Sequence, residues 1–268
     1  MTVKRQFGKN KIIFGTMASG KSIELIRHLQ IYEKFASKLG YMVHIFKPAI
    51  DTRKMSRSST YLAISSRLGG VEFKKHVTAV QCSDEIREYF SQIHGGKHVI
   101  AIDEVQMFDS GIIDVIKNLS GMNNHVIVAG LDNSFRGEPM PLADFKATME
   151  DMIDLFEPEN RIHLKAVCEV CGDDATFVQR LLNGKPAPYY DPLVVIGDKN
   201  IGDGENVRSY EVRCKRHFVV PFKEECHLVR YLLGKKVPEQ EIAKLVPDAE
   251  HIIRMLKVER FSEQMTLV

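Results

Sequence analysis

Gly15-Thr16-Met17-Ala18-Ser19-Gly20-Lys21-Ser22 follows the apolar run Lys11-Ile12-Ile13-Phe14 and precedes a helical pattern of apolar residues. This is the G-x-x-x-x-G-K-[ST] phosphate loop in a strand-loop-helix setting. Its glycines let the backbone turn so that successive N–H groups face an anion. Lys21 then reaches the β- and γ-phosphates as a point charge, and the Ser22 hydroxyl is placed to ligate Mg²⁺. The helix that begins near Lys21 aims the positive end of its dipole at the same anion. Four fixed positions alone can match a turn of small residues by chance. The strand before them and the amphipathic helix after them make this a nucleotide site.

Downstream, Ile23, Leu25, Ile26, Leu29, Ile31 and Phe35 recur at helical spacing and predict a helix from 22 to about 38, stopped at Leu39-Gly40. Tyr41-Met42-Val43-His44-Ile45-Phe46 reads as a buried strand ended by Lys47-Pro48, with His44 packed or at an edge. Residues 49–76 are polar and rich in Ser and Arg, which suits either a functional loop beside the nucleotide or a solvated excursion. A short strand over 77–80 and a helix over 84–93, with Ser83 as N-cap, follow.

The second strong signal is Val99-Ile100-Ala101-Ile102-Asp103-Glu104, an apolar strand that ends in two carboxylates. In a parallel sheet this end opens on the same edge as the phosphate loop, so Asp103 is the Mg²⁺ partner and Glu104 can accept a proton or orient water. A helix over 112–119 and a strand over 125–130 complete four or five strands alternating with helices. That alternation predicts an α/β fold with a parallel sheet and helices on both faces, similar to P-loop nucleotide hydrolases.

Past about residue 156 the texture changes. Cys168-Glu169-Val170-Cys171 and Cys214-Lys215-Arg216-His217 are two knuckles of equal spacing. Three thiolates and one imidazole suit a closed, structural tetrahedral Zn²⁺, which would pin both ends of the intervening segment. A redox C-x-x-C would need a thioredoxin-like context that is missing here. Within the pinned segment a strand over 193–197, a polar loop and a returning strand over 209–213 could hold a small ligand. The last fifty residues carry helical periodicity around Leu228 and Ile252, broken at 234–241, and suggest a packing or interaction appendage.

Composition narrows the class. The 268 residues have a formal net charge of +2 and no Trp, so nothing calls for a nucleic-acid polymer as partner. No apolar run approaches the ~20 residues of a membrane span, and the first residues lack the apolar core of a signal peptide. A cytoplasmic location is expected. Five cysteines are too few for a disulfide scaffold.

Taken together these motifs resemble the zinc-containing thymidine kinases of bacteria, large DNA viruses and animal cytosol. The resemblance is carried by the phosphate loop, Lys47-Pro48-Ala49-Ile50-Asp51-Thr52-Arg53, Ile102-Asp103-Glu104-Val105-Gln106-Met107-Phe108, Gly130-Leu131-Asp132-Asn133-Ser134-Phe135, and both knuckles. Gln179-Arg180-Leu181-Leu182-Asn183-Gly184-Lys185-Pro186 and Ser209-Tyr210-Glu211-Val212-Arg213-Cys214 belong to the same set. It implies transfer of the γ-phosphoryl group of ATP to the 5′-hydroxyl of thymidine, with deoxyuridine as a possible second acceptor. Glu104 matches the base. Gly15, Thr16, Met17, Ala18, Ser19, Gly20, Lys21, Ser22, Asp51, Arg53, Asp103 and Gln106 match ATP and phosphate positions. Met17, Leu131, Phe135, Val178, Leu193, Ile196 and Tyr210 match nucleoside positions, and Cys168, Cys171, Cys214 and His217 the zinc ligands. The implied layout is an ATP-binding domain over 1–155, a zinc lasso domain over 156–220 that closes over the base, and a helical extension over 221–268, assembled as a homotetramer. A competing class, a nucleic-acid-binding module or an ATP-driven switch, would need an extended basic surface. Three departures stand out: a lengthened lasso around 198–208, Met107 where an aromatic is common, and the tail after about 220.

Overall fold

The computed structural model describes residues 10–50, 64–65, 72–73, 77–121, 124–193 and 207–265; for 37, 64–65, 72–73 and 258–265 only the backbone is described. In chain order, β1 (Lys11–Gly15) leads through α1 (Lys21–Leu39) to β2 (Tyr41–Pro48). A short antiparallel pair, β3 (Ile64–Ser65) and β4 (Glu72–Phe73), precedes β5 (Thr78–Val80), α2 (Ser83–Ser91) and β6 (Lys97–Ile102). Then come α3 (Gly111–Ser120), β7 (His125–Leu131), α4 (Met149–Ile153) and β8 (Arg161–Leu164).

Six of these strands form one parallel sheet in the order β5-β2-β6-β7-β1-β8. Period-two alternation explains how it is covered. Ile12, Ile100, Ile102, Val126 and Val128 point into one core with Ile86 of α2, Ile112 and Ile116 of α3, and Met149 and Met152 of α4. Their neighbours Ile13, Val99, Ala101, Ile127 and Ala129 point the other way, onto Leu25, Ile26 and Leu29 of α1. Strands apolar on both faces must be covered on both, which is why helices lie on each side.

Four local expectations are corrected. The sheet has six strands, because β8 pairs along the edge with β1 and its alternating Arg-Ile-His-Leu sequence lacks the apolar run of an inner strand. β2 ends at Pro48, but Lys47 and Pro48 belong to it rather than following it: they pair in register with Ala79 and Val80 of β5, since proline at a strand terminus forfeits only one N–H bond. Ser83 is not the cap of α2. It is the first residue of the helix, and its N–H and hydroxyl both donate to the Asp109 carboxylate, at 2.8 and 2.5 Å. The break at 234–241 is shorter than expected, because a helix already begins at Glu239 behind Pro238.

Beyond the sheet, β9 (Ala166–Val167) pairs with β10 (Asp174–Ala175), and β11 (Phe177–Leu182) lies between β12 (Lys185–Pro186) and β13 (Arg208–Arg213). Residues 194–206 lie outside the described residues, and with them most of the strand expected over 193–197; Leu193 itself sits in a bend. Helices α5 (Lys223–Gly234), α6 (Glu239–Leu245) and α7 (Ala249–Met265) close on their own apolar cluster, which includes Cys226, Val229, Ile242 and Ile252. Among the described residues no helix is long and apolar enough to cross a membrane.

Candidate functional site

The turn between β1 and α1 is built where a side chain has no room. A Cβ on Gly15 would lie 2.1 Å from the Leu164 carbonyl oxygen of the adjacent β8, and Gly15 has φ +148°. Ala18 and Gly20 also carry positive φ, so the loop curls back on itself. Lys21 donates to the Thr16 carbonyl at 2.6 Å, holding the ammonium over the loop. The residue before α1 is Gly20, which has no side chain to cap the helix, so the positive end of the α1 dipole faces the loop. The hydroxyls of Thr16 and Ser19 are buried and have no hydrogen-bond partner among the described residues. Buried polar atoms without partners are costly, and a bound phosphate is the kind of ligand that would satisfy them.

Asp103 and Glu104 follow β6, and the loop follows β1, with β7 between the two strands. They therefore share the carboxyl edge at a separation of about 10 Å, two inter-strand spacings. Asp103 is buried, and its carboxylate accepts from the Glu104 N–H at 3.0 Å. Glu104 sits at φ +49°, a left-handed conformation that a residue with a Cβ adopts at a cost of about 1–3 kcal/mol. Gln106 holds it there: its carboxamide donates to Glu104 Oε2 at 2.6 Å and accepts from the Leu131 N–H at 3.1 Å. Gln106 is 2% exposed, so its observed contacts are to Glu104 and to the end of β7. Gly130 makes this approach possible, because a Cβ there would lie 2.7 Å from Gln106 Oε1.

Asp132, one residue past β7, was not singled out in the sequence. Its carboxylate pairs with His163 of β8 at 3.3 Å, and burial raises its pKa against the opposing charges of His163 and Lys21. A third acid at the carboxyl end of a strand was the signal available.

The positions matched to the nucleoside fall into two groups. Phe135 is buried beneath the Arg180 guanidinium, whose carbon is 3.9 Å from the Phe135 ring centre and 5.3 Å from that of Tyr210. Arg180 faces Tyr210 across the β11–β13 ladder, and Val178 faces Val212. Arg180 also donates to the Leu193 carbonyl at 2.9 Å, so Phe135, Arg180, Tyr210 and Leu193 converge. Met17 packs on the cluster of Ala166, Cys168, Ala175, Val212 and Cys214, which joins the loop after β1 to the cysteine unit. Leu131 is placed by its bond to Gln106. Asp51, Arg53 and Ile196 lie outside the described residues. Arg180 and the buried Asp191 that receives it at 2.8 Å were missed as site residues, since no local pattern marks them.

Cys168, Cys171, Cys214 and His217 bring their ligand atoms within 4.8 Å of one another. Zn–S bonds of about 2.3 Å and a Zn–N bond of about 2.0 Å give tetrahedral edges of about 3.8 Å and 3.5 Å. The Cys171–Cys214 sulfur separation is 3.8 Å, and His217 Nδ1 lies 3.8 Å from Cys168 Sγ and 3.3 Å from Cys214 Sγ. The set fits zinc. Against the cost of burial, backbone N–H groups and the His217 ring bring the Cys168 thiol down to about 5, the thiolate form that a metal requires.

A parallel sheet whose carboxyl edge carries a glycine loop, a lysine and an acid pair is an arrangement that α/β phosphotransferases use. The family model for thymidine kinase matches residues 8–218. The chain belongs to the thymidine kinase family and is an enzyme that phosphorylates thymidine.

Proposed function

We propose that ATP is the phosphoryl donor, that the acceptor is the 5′-hydroxyl of thymidine or, secondarily, deoxyuridine, and that the reaction serves nucleotide salvage. The observation that carries the reading is the Gln106 bridge, which fixes a carboxylate at the sheet edge opposite the lysine loop. In this reading the loop 15–22 and Lys21 hold the β- and γ-phosphates, with Asp51 and Arg53 alongside. Glu104 takes the proton as the 5′-oxygen forms its bond to the γ-phosphorus and ADP leaves. Ser22 and Asp103 would hold Mg²⁺, which would supply charge neutralisation on the transferring group. Met17, Leu131, Phe135, Val178, Leu193, Ile196 and Tyr210 contact the nucleoside and exclude water from the transfer. Zinc is structural, pinning the ends of the segment between the knuckles. We read the chain as three units with boundaries near 155 and 220, working as a cytoplasmic homotetramer.

The test is a transfer assay with MgATP and thymidine, beside a control without acceptor. Thymidine 5′-monophosphate that depends on both substrates is expected, and Glu104→Gln should lower its formation by about 10²-fold or more while retaining ATP binding. The glutamine still accepts from Gln106, so the bridge survives and only the base is lost. Hydrolysis of ATP without acceptor product, or full turnover in the variant, would contradict the reading.

A further inference from the structure

The family match ends at residue 218, yet the helices that follow are joined to the candidate base pocket through a buried tyrosine and the charged groups around it. Tyr189 is 1% exposed and belongs to the apolar cluster of α5–α7, together with Cys226, Val229 and Ile252. Its N–H donates to the Pro221 carbonyl at 2.8 Å. Its hydroxyl donates to the Glu138 carboxylate at 3.0 Å and accepts from Arg230 of α5 at 3.0 Å. Two more groups of α5 converge on the same carboxylate, Lys223 at 3.2 Å and His227 at 3.4 Å.

From there the contacts run to the pocket. The Arg136 guanidinium lies 4.5 Å from the Tyr189 ring centre, and its carbonyl accepts from Lys223 at 3.0 Å. Arg136 neighbours Phe135 in the chain and donates to the Asp191 carbonyl at 3.0 Å. The Asp191 carboxylate, 4% exposed, receives Arg180 at 2.8 Å and Arg208 at 2.8 Å. Arg180 is the side chain stacked on Phe135 and facing Tyr210. Buried charge is a poor way to gain stability, because desolvation offsets most of the attraction. Its use lies in direction: hydrogen-bonded ions fix a geometry that apolar packing alone leaves free.

We propose that α5–α7 brace the nucleoside pocket, with Tyr189, Glu138 and Arg230 as positioning residues that set affinity for the nucleoside acceptor. The inference rests on the placement of the nucleoside against Phe135 and Tyr210. Tyr189→Phe keeps the ring and its packing and removes only the hydroxyl; Arg230→Met removes the charge that meets it. Each single variant of the full-length protein should raise KM for thymidine about five- to tenfold, with kcat and KM for ATP changed less than twofold. The double variant should be no worse than the poorer single, because both break one network. Arg230→Lys should restore most of the affinity. Zinc content should stay at the wild-type value throughout. An unchanged KM for thymidine in both singles would overturn the brace, as would equal losses in kcat and both KM values, which would mark general damage. A wild-type protein that makes no thymidine monophosphate would sink the site reading and the brace together, whereas an active wild type with indifferent variants sinks the brace alone.

Discussion

Replacing Gln106 by alanine removes both ends of the bridge between Glu104 and Leu131. The bond to the Glu104 carboxylate is charge-assisted, short at 2.6 Å and partly buried, and is worth about 1.5–3 kcal/mol; the bond from the Leu131 N–H adds about 0.5–1.5. Together the variant should lose about 2–4.5 kcal/mol of stability, read as the shift in urea midpoint times the denaturant slope. The catalytic consequence is separate. Without its donor, Glu104 loses the tether that links its carboxylate to the end of β7, and a displacement of about 1 Å at the proposed base would cost up to about 10²-fold. We therefore expect kcat for thymidine phosphorylation to fall about 10- to 100-fold, with KM for ATP within twofold, in a steady-state assay well below the melting temperature. Gly130→Ala disturbs the same bridge from the opposite side, since the new Cβ lies 2.7 Å from Gln106 Oε1 and 2.9 Å from Val105 Cγ1. It should reproduce the kcat loss through overpacking of about 1–3 kcal/mol. If Gln106→Ala lost the stability but kept kcat within twofold of wild type, the bridge would be a structural strut and the positioning argument would fail.

Cys171→Ser removes one of four ligands, and metal per chain should drop well below one equivalent by elemental analysis, with an earlier melt of the segment that carries the knuckles; retention of a full equivalent would refute the ligand set. His44 supplies a stability signature far from the site. Burial, reinforced by the neighbouring His98, pushes it down to about 4, and its ring nitrogens meet Tyr89 and His98 at 3.0 Å each. The unfolded chain takes up a proton below about pH 6.5 that the folded state refuses, so stability is present above that pH and is lost as pH falls toward 4. The full shift corresponds to about 3 kcal/mol, which partial exposure of the ring reduces to about 1–2. His44→Phe should flatten the fall in urea midpoint between pH 6.5 and 4 by that amount, and an unchanged slope would assign the pH dependence to other groups.

Much of this architecture was legible without coordinates. The alternation Ile12/Ile13, Val99/Ile100 and Val126/Ile127 already requires a sheet covered on both faces, and the structure distributes those pairs to opposite cores. The loop at 15–22, the acids at 103–104 and the two knuckles are local patterns, with partners set by spacing of a few residues. What stayed hidden was long-range and polar. The cap of α2 comes from Asp109, twenty-six residues away; Arg180 and Arg208 meet Asp191 across eleven and seventeen residues; Glu138 and Arg230 meet Tyr189 across fifty-one and forty-one. Long side chains with several donors have no periodicity that names their partner. β8 was missed for a related reason, since an edge strand that buries little apolar surface has a weak sequence signature.

By itself the chain's chemistry determined the fold class, the glycine turn that carries Lys21, the acid pair and each two-residue knuckle, because each is encoded in backbone conformation or in residue spacing of a few positions. Only the tertiary structure decided that Gln106 grips Glu104 rather than facing outward, that Asp132 meets His163, and that a tyrosine inside the knuckle segment packs with the terminal helices. These choices are settled by which buried donors and acceptors come within about 3 Å of one another once the sheet and helices are assembled, where every unpaired polar group carries a cost.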